Sequence, residues 1–101
     1  MKYNYYNAVT GDEISSDDTL EWILHDFHDL YMEGSFLTLT GENGEILQFI
    51  LEDGNWVVDI PNIEKMVSFQ KSADIDEVCG LIEQFYNGKL IDTYDFEIVS
   101  I

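Results

Sequence analysis

Apolar and polar positions alternate in two rhythms along this chain. From Tyr3 to Val9, aromatic residues alternate with small polar ones, as in a first strand. Thr10-Gly11-Asp12-Glu13 reads as a turn or loop, and Ser15-Ser16-Asp17-Asp18 as a helix start, with N-cap candidates and acids in the first turn. Leu20, Ile23, Leu24, Phe27, Leu30 and Tyr31 then follow the 3.6-residue period of a helix, and Gly34 offers a C-terminal stop. The rhythm changes to period two for Ser35–Thr40, turns at Gly41-Glu42-Asn43-Gly44, and returns through Glu45–Leu51. Glu52-Asp53-Gly54-Asn55 turns the chain again into Trp56–Ile60, which Pro61-Asn62 is expected to break. Lys65–Gln70 completes a four-strand meander. Asp74-Ile75-Asp76-Glu77 has the form of a capping box and opens a second helix through Val78, Leu81, Ile82 and Phe85, which Gly88 stops. Tyr94–Val99 is the last strand.

The predicted order is therefore β-α-β-β-β-β-α-β. Each helix has one apolar stripe, so the expected fold is a single α+β domain spanning residues 1–101. It has two layers, an antiparallel sheet with both helices on one face.

Helical phase puts one residue out of place. At about 100° per residue, Trp22 falls opposite the apolar stripe of the first helix. Its neighbours there are Asp18, His25, Asp26, Asp29 and Glu33. A tryptophan within an acidic, solvent-facing stripe suits the centre of a protein interface. Packing under a neighbouring segment is the structural alternative. A second candidate surface lies on the meander, where Asp53 follows a strand end and Asp59 sits on the face opposite Trp56, Val58 and Ile60. Trp56 itself is expected in the core.

Charge sharpens this reading. The chain carries 21 acids against four lysines and no arginine, a formal net charge of −17. Solubility of a small domain needs a magnitude of only about 2–8, and the excess repels itself. Lys2, Lys65, Lys71 and Lys89 are too few and too scattered to neutralise phosphates, which argues against direct nucleic-acid binding. The expected partner is a strongly basic protein, and the chain itself a monomer or weak homodimer. A lone cysteine excludes an internal disulfide and fits a reducing compartment. No secretory leader opens the sequence and no apolar run approaches a membrane span, so a cytoplasmic protein without membrane contact is expected.

Catalytic signatures are weak. His25 and His28 are three apart on one helix, whereas the helical zinc motif uses four with a glutamate between. Cys79 is surrounded by acids that oppose thiolate formation. There is no phosphate-binding glycine loop and no calcium-loop spacing. Neither an enzyme nor a cofactor or metal is expected.

Three segments resemble the α+β immunity proteins of bacterial polymorphic and contact-dependent toxin systems, specifically those paired with deaminase-type toxins. Ser35-Phe36-Leu37-Thr38-Leu39-Thr40 followed by Leu47-Gln48-Phe49-Ile50 resembles their first hairpin. Trp56-Val57-Val58-Asp59-Ile60 and Val67-Ser68-Phe69 resemble the rest of their meander. Glu77 through Phe85-Tyr86-Asn87-Gly88-Lys89 resembles their second helix with its aromatic pair. The likeness is one of hydrophobics and turns over roughly residues 17–99, and it departs at Phe96, where such proteins often carry tryptophan. It implies a non-catalytic protein that binds and neutralises a toxin in the producing cell's cytoplasm. An acidic DNA-mimic inhibitor of restriction or CRISPR systems would share this composition, and a generic interaction domain would share the fold.

Overall fold

The computed structural model describes all of Met1–Ile101 and contains seven strands and two helices. In chain order they are β1 (Lys2–Asn7), β2 (Asp12–Asp17), α1 (Leu20–His28), β3 (Phe36–Thr40), β4 (Ile46–Glu52), β5 (Asn55–Asn62), β6 (Val67–Ala73), α2 (Ile75–Tyr86) and β7 (Glu97–Ser100). The strands form one sheet in the order β2-β1-β3-β4-β5-β6-β7, every neighbouring pair antiparallel. The α+β class and the order read from the sequence are present, with one strand inserted after the first.

That insertion is β2, which occupies residues expected to be a loop and a helix start. Its composition, Asp-Glu-Ile-Ser-Ser-Asp, carries little strand preference. The hairpin turn makes it a strand. Asn7 Oδ1 accepts the Val9 amide, Thr10 Oγ1 accepts the Asp12 amide, and Gly11, at φ +77°, bonds back to the Asn7 carbonyl. The amino terminus fixes the other end, since its ammonium lies 2.9 Å from Asp17 Oδ1. Pairing with β1 thus overrides local propensity. As a result α1 starts only at Leu20, after Thr19, and ends at His28.

The core lies on one face of the sheet. Leu37, Leu39, Leu47, Phe49, Leu51, Trp56 and Val58 alternate into it and meet Ile23 and Phe27 of α1 and Val78 and Ile82 of α2. Trp56, expected in the core, is 3% exposed, its ring 4.8 Å from that of Phe27. Tyr31 was expected in the apolar stripe of α1 but is 71% exposed, because the helix has already ended and residue 31 is out of phase.

Both turns around β4 behave as their sequences suggest. Asp53 and Gly54, both at positive φ, form the two-residue loop between paired Glu52 and Asn55. Pro61 does not break β5 as expected. It pairs with Ser68 on β6, while the β4 ladder has already ended at Asp59, so the missing N–H faces a side with no partner strand. At α2 the Asp74 carboxylate accepts the Glu77 amide at 2.8 Å. Gly88, at φ +72°, closes the helix with Lys89 N–H bonded to the Gln84 carbonyl. The meander offers no free edge for pairing two copies, since β1 covers β3 and β7 covers β6; the open edges are β2 and β7.

Candidate protein-interaction surface

The outward side of α1 presents what helical phase implied. Trp22 is 55% exposed, and the His25 ring meets it edge-on at 5.2 Å between centroids. Asp26 flanks this pair. It accepts a 2.6 Å hydrogen bond from the Tyr3 hydroxyl, and the His25 Nδ1 lies 3.6 Å from its other oxygen. Asp29 caps the helix, and its carbonyl accepts the Asn7 side-chain amide at 3.4 Å. Burial raises the Tyr3 phenol far above the ordinary tyrosine range, and the Asp26 hydrogen bond adds to it. Tyr5 is raised chiefly by burial, then by the charges of Asp26, Asp29 and Asp12. One phenol thus senses carboxylates from α1 and β2 together, which marks a continuous negative field over this corner.

The remaining expected residues divide among three places. Asp18 lies before the helix, where its carboxylate accepts the Thr19 amide at 2.9 Å and its backbone pairs with Met1. Glu33 lies beyond the helix end, and its carboxylate accepts the Asp53 amide, so these two acids meet at the β4–β5 turn. Asp59 is on the opposite face of the sheet. It is half-buried and accepts hydrogen bonds from Ser68 Oγ and, at 3.0 Å, from Gln70 Nε2. Trp22, His25, Asp26 and Asp29 therefore form one surface, with Asp18 at its leading end. Glu33 and Asp53 form another site, and Asp59 belongs to neither.

Two features escaped the sequence reading. A groove of about 690 Å³ separates the end of α1 from the start of α2 and is lined by Phe27, Tyr31, Trp56, Glu33, Asp74 and Asp76 among others. Aromatic walls beside carboxylates suit a cationic side chain. The helix-phase error at Tyr31 hid it. The second feature is the segregation of lysine. The 62 residues from 3 to 64 contain 14 of the 21 acids and no lysine. Lys65 lies in the β5–β6 turn, Lys71 on β6 and Lys89 just after α2. Lys71 is internally paired, 2.7 Å from Asp95 and 3.2 Å from Glu77. Only Lys2 breaks the anionic character of α1 and the β2-β1-β3-β4 half of the sheet. The gap is visible in the sequence, but its meaning needs the strand order.

Chemically, the arrangement offers negative potential around apolar anchors. No three His, Cys, Asp or Glu side chains converge as metal ligands would. His28 is turned to the Leu24 carbonyl at 2.7 Å. Burial, aided by Asp76, pushes the Cys79 thiol up and keeps it protonated at neutral pH. No helix is long and apolar enough to cross a membrane. No protein-family model, no curated protein and no solved structure matches the chain.

Proposed function

We propose that this chain is an immunity protein that binds a basic, nucleic-acid-targeting toxin through its acidic surface and blocks it in the cytoplasm of the cell that makes it. The observation that supports this most is Trp22, exposed on α1 beside Asp26 and Asp29 in the half of the molecule where Lys2 is the one lysine. A toxin that handles nucleic acid needs cationic side chains along its substrate groove. A negative domain competes for that groove, and the opposite potentials accelerate encounter. Once docked, a large aromatic side chain in a desolvated pocket slows release.

The deciding experiment is affinity capture from the native host at low salt, followed by expression of the captured protein alone and with this chain. A basic partner that is lethal alone and tolerated in co-expression supports the reading. In the purified complex, Trp22→Ala should raise the dissociation rate at least about tenfold. Asp29→Asn should instead lower the association rate and flatten its salt dependence. A partner bound equally well at all ionic strengths sinks the proposal. So does a DNA-binding enzyme whose capture duplex DNA competes away without any toxicity to neutralise.

A further inference from the structure

An antiparallel sheet covered on one face normally turns polar side chains to water on the other. This sheet does not. The register places Tyr6 of β1 opposite Phe36 of β3, Phe36 opposite Ile50 of β4, and Ile50 opposite Val57 of β5. All four lie on the face away from the helices, because their strand neighbours Leu37, Phe49, Leu51, Trp56 and Val58 point into the core. They form an unbroken apolar row across four strands, with the Tyr6 and Phe36 rings stacked at 5.7 Å. Each is half-buried, and none belongs to the core cluster or packs against it.

The border of this row is anionic. Glu13 pairs with Tyr6 at one end. Glu52 lies two residues beyond Ile50 and Asp59 two beyond Val57, both on the same face, and the Glu33–Asp53 pair closes the β4–β5 turn. The one lysine of β1, Lys2, is four residues from Tyr6, about 13 Å along the strand at ~3.3 Å per residue. That exceeds the screening distance of about 8 Å at physiological salt. A second copy would bring the same acids against these, at −17 per chain, so self-association through this face is opposed.

We propose that the open sheet face is a second docking surface, and that its occupant is a cationic amphipathic helix of a basic protein partner. The inference rests on the reading of a basic partner and adds a contact face that the reading does not include. The dimensions fit. Three inter-strand steps of about 4.8 Å span roughly 14 Å, which a helix of 5.4 Å pitch covers in nearly three turns. One apolar side chain per turn then meets one strand at a time, and lysines on either flank reach Glu13, Glu52 and Asp59.

The test uses the full chain, isotope-labelled, and an amidated 14-residue helical peptide of leucine and lysine with the leucines on one stripe. Amide shifts should concentrate at Tyr6, Phe36, Ile50, Val57 and their paired neighbours. A peptide of equal charge with serine for leucine should bind about tenfold more weakly. Ile50→Asp should weaken binding similarly even though it adds an acid, while Trp22→Ala should leave affinity within about twofold. Val57→Thr, nearly isosteric and strand-compatible, gives a milder loss and guards against misfolding of the Ile50 variant. Shifts centred on α1, with strong salt dependence, would overturn this inference and leave the proposed function standing. Equal binding of the serine peptide overturns it, as does no saturable binding at millimolar peptide. Salt-independent binding of the peptide would also overturn this inference, since the acids bordering the row would then contribute nothing, and would leave the proposed function to its own test.

Discussion

Replacing Tyr3 by phenylalanine removes one oxygen from the junction between β1 and the acidic side of α1. Tyr3 is 4% exposed, and its hydroxyl donates to Asp26 Oδ2 at 2.6 Å. A hydrogen bond to a charged acceptor contributes about 1.5–3 kcal/mol. Asp26 keeps some contact with water, its side chain being 20% exposed, so the lower end, about 1.5 kcal/mol, applies. In a domain of this size that lowers Tm by about 6–12 °C. The pH dependence is more specific than the loss itself. The folded phenol is raised above the ordinary tyrosine value of 10.0, so its contribution is fully present below pH 10 and is lost as pH rises further, because the unfolded chain releases the proton first. With the native hydroxyl still protonated, one pH unit above the unfolded value removes about 1.4 kcal/mol from the wild type and nothing from Tyr3→Phe. The two stabilities should therefore differ by about 1.5 kcal/mol at pH 7 and converge near pH 11. Urea unfolding of both proteins from pH 7 to 11, followed by circular dichroism, measures this. Tyr5 and Lys71, also raised, steepen both curves alike and cancel in the difference. Two curves that stay parallel to pH 11, or coincide at pH 7, would refute the reasoning.

Other expectations come from single contacts. Trp22→Ala should change stability by no more than about 0.5 kcal/mol, since the ring is exposed. Phe27→Ala, in the core of the same helix, should cost about 3–5 kcal/mol in the same urea assay. Lys71→Met keeps the stem but removes the contacts to Asp95 and Glu77, so hydrogen exchange of the β7 amides should accelerate while the core amides of β4 stay protected. Lys71 holds the Asp95 carboxyl below its ordinary value. That contribution is therefore present at neutral pH and lost as pH falls through the lowered folded value, and Lys71→Met should flatten this part of the acid limb. Cys79 should react with iodoacetamide at pH 7.5 at least about tenfold more slowly than free cysteine, and the rate should recover in urea.

The sequence exposes most of the fold where periodicity and turn chemistry agree. The meander from Phe36 to Ala73 carries short apolar runs bounded by turn residues, including an Asp-Gly turn, and α2 carries both a cap and a terminal glycine, so these elements stand almost where expected. Three departures share one cause, which is tertiary pairing. β2 is polar and becomes a strand only because β1 offers it an edge. Pro61 is tolerated because β5 outruns β4. Tyr31 leaves the core because α1 is shorter than its apolar pattern. The candidate surface is legible to the same degree. Trp22, His25, Asp26 and Asp29 fall together because they depend on helical phase alone. Asp18 and Glu33 drift from them because they depended on where the helix begins and ends. The apolar row was invisible for another reason. Tyr6, Phe36, Ile50 and Val57 look like ordinary strand residues until the register aligns them, since alternation shows which face a residue occupies but not what stands beside it.

The two surfaces are neighbours around one edge of the sheet. α1 connects β2 to β3 on the covered face, and its Asp26 is bonded to Tyr3 of β1. The apolar row begins at Tyr6 of the same strand, on the open face. Between them lies β2, whose outer backbone has no partner and whose acids, Asp12, Glu13 and Asp17, discourage pairing with another copy. A single partner touching both surfaces must pass around this edge, where every charged side chain of β2 is a carboxylate. The same acids that repel a second copy would hold the basic side chains of a partner on that route. This gives the position of the lysines a physical sense. Solubility depends on net charge and is indifferent to where four cations sit. An anionic path from Trp22 around β2 to Tyr6 is kept by placing three of them elsewhere: Lys65, Lys71 and Lys89 lie at the β6–α2–β7 end, and only Lys2, opposite Asp17 of β2, borders the path.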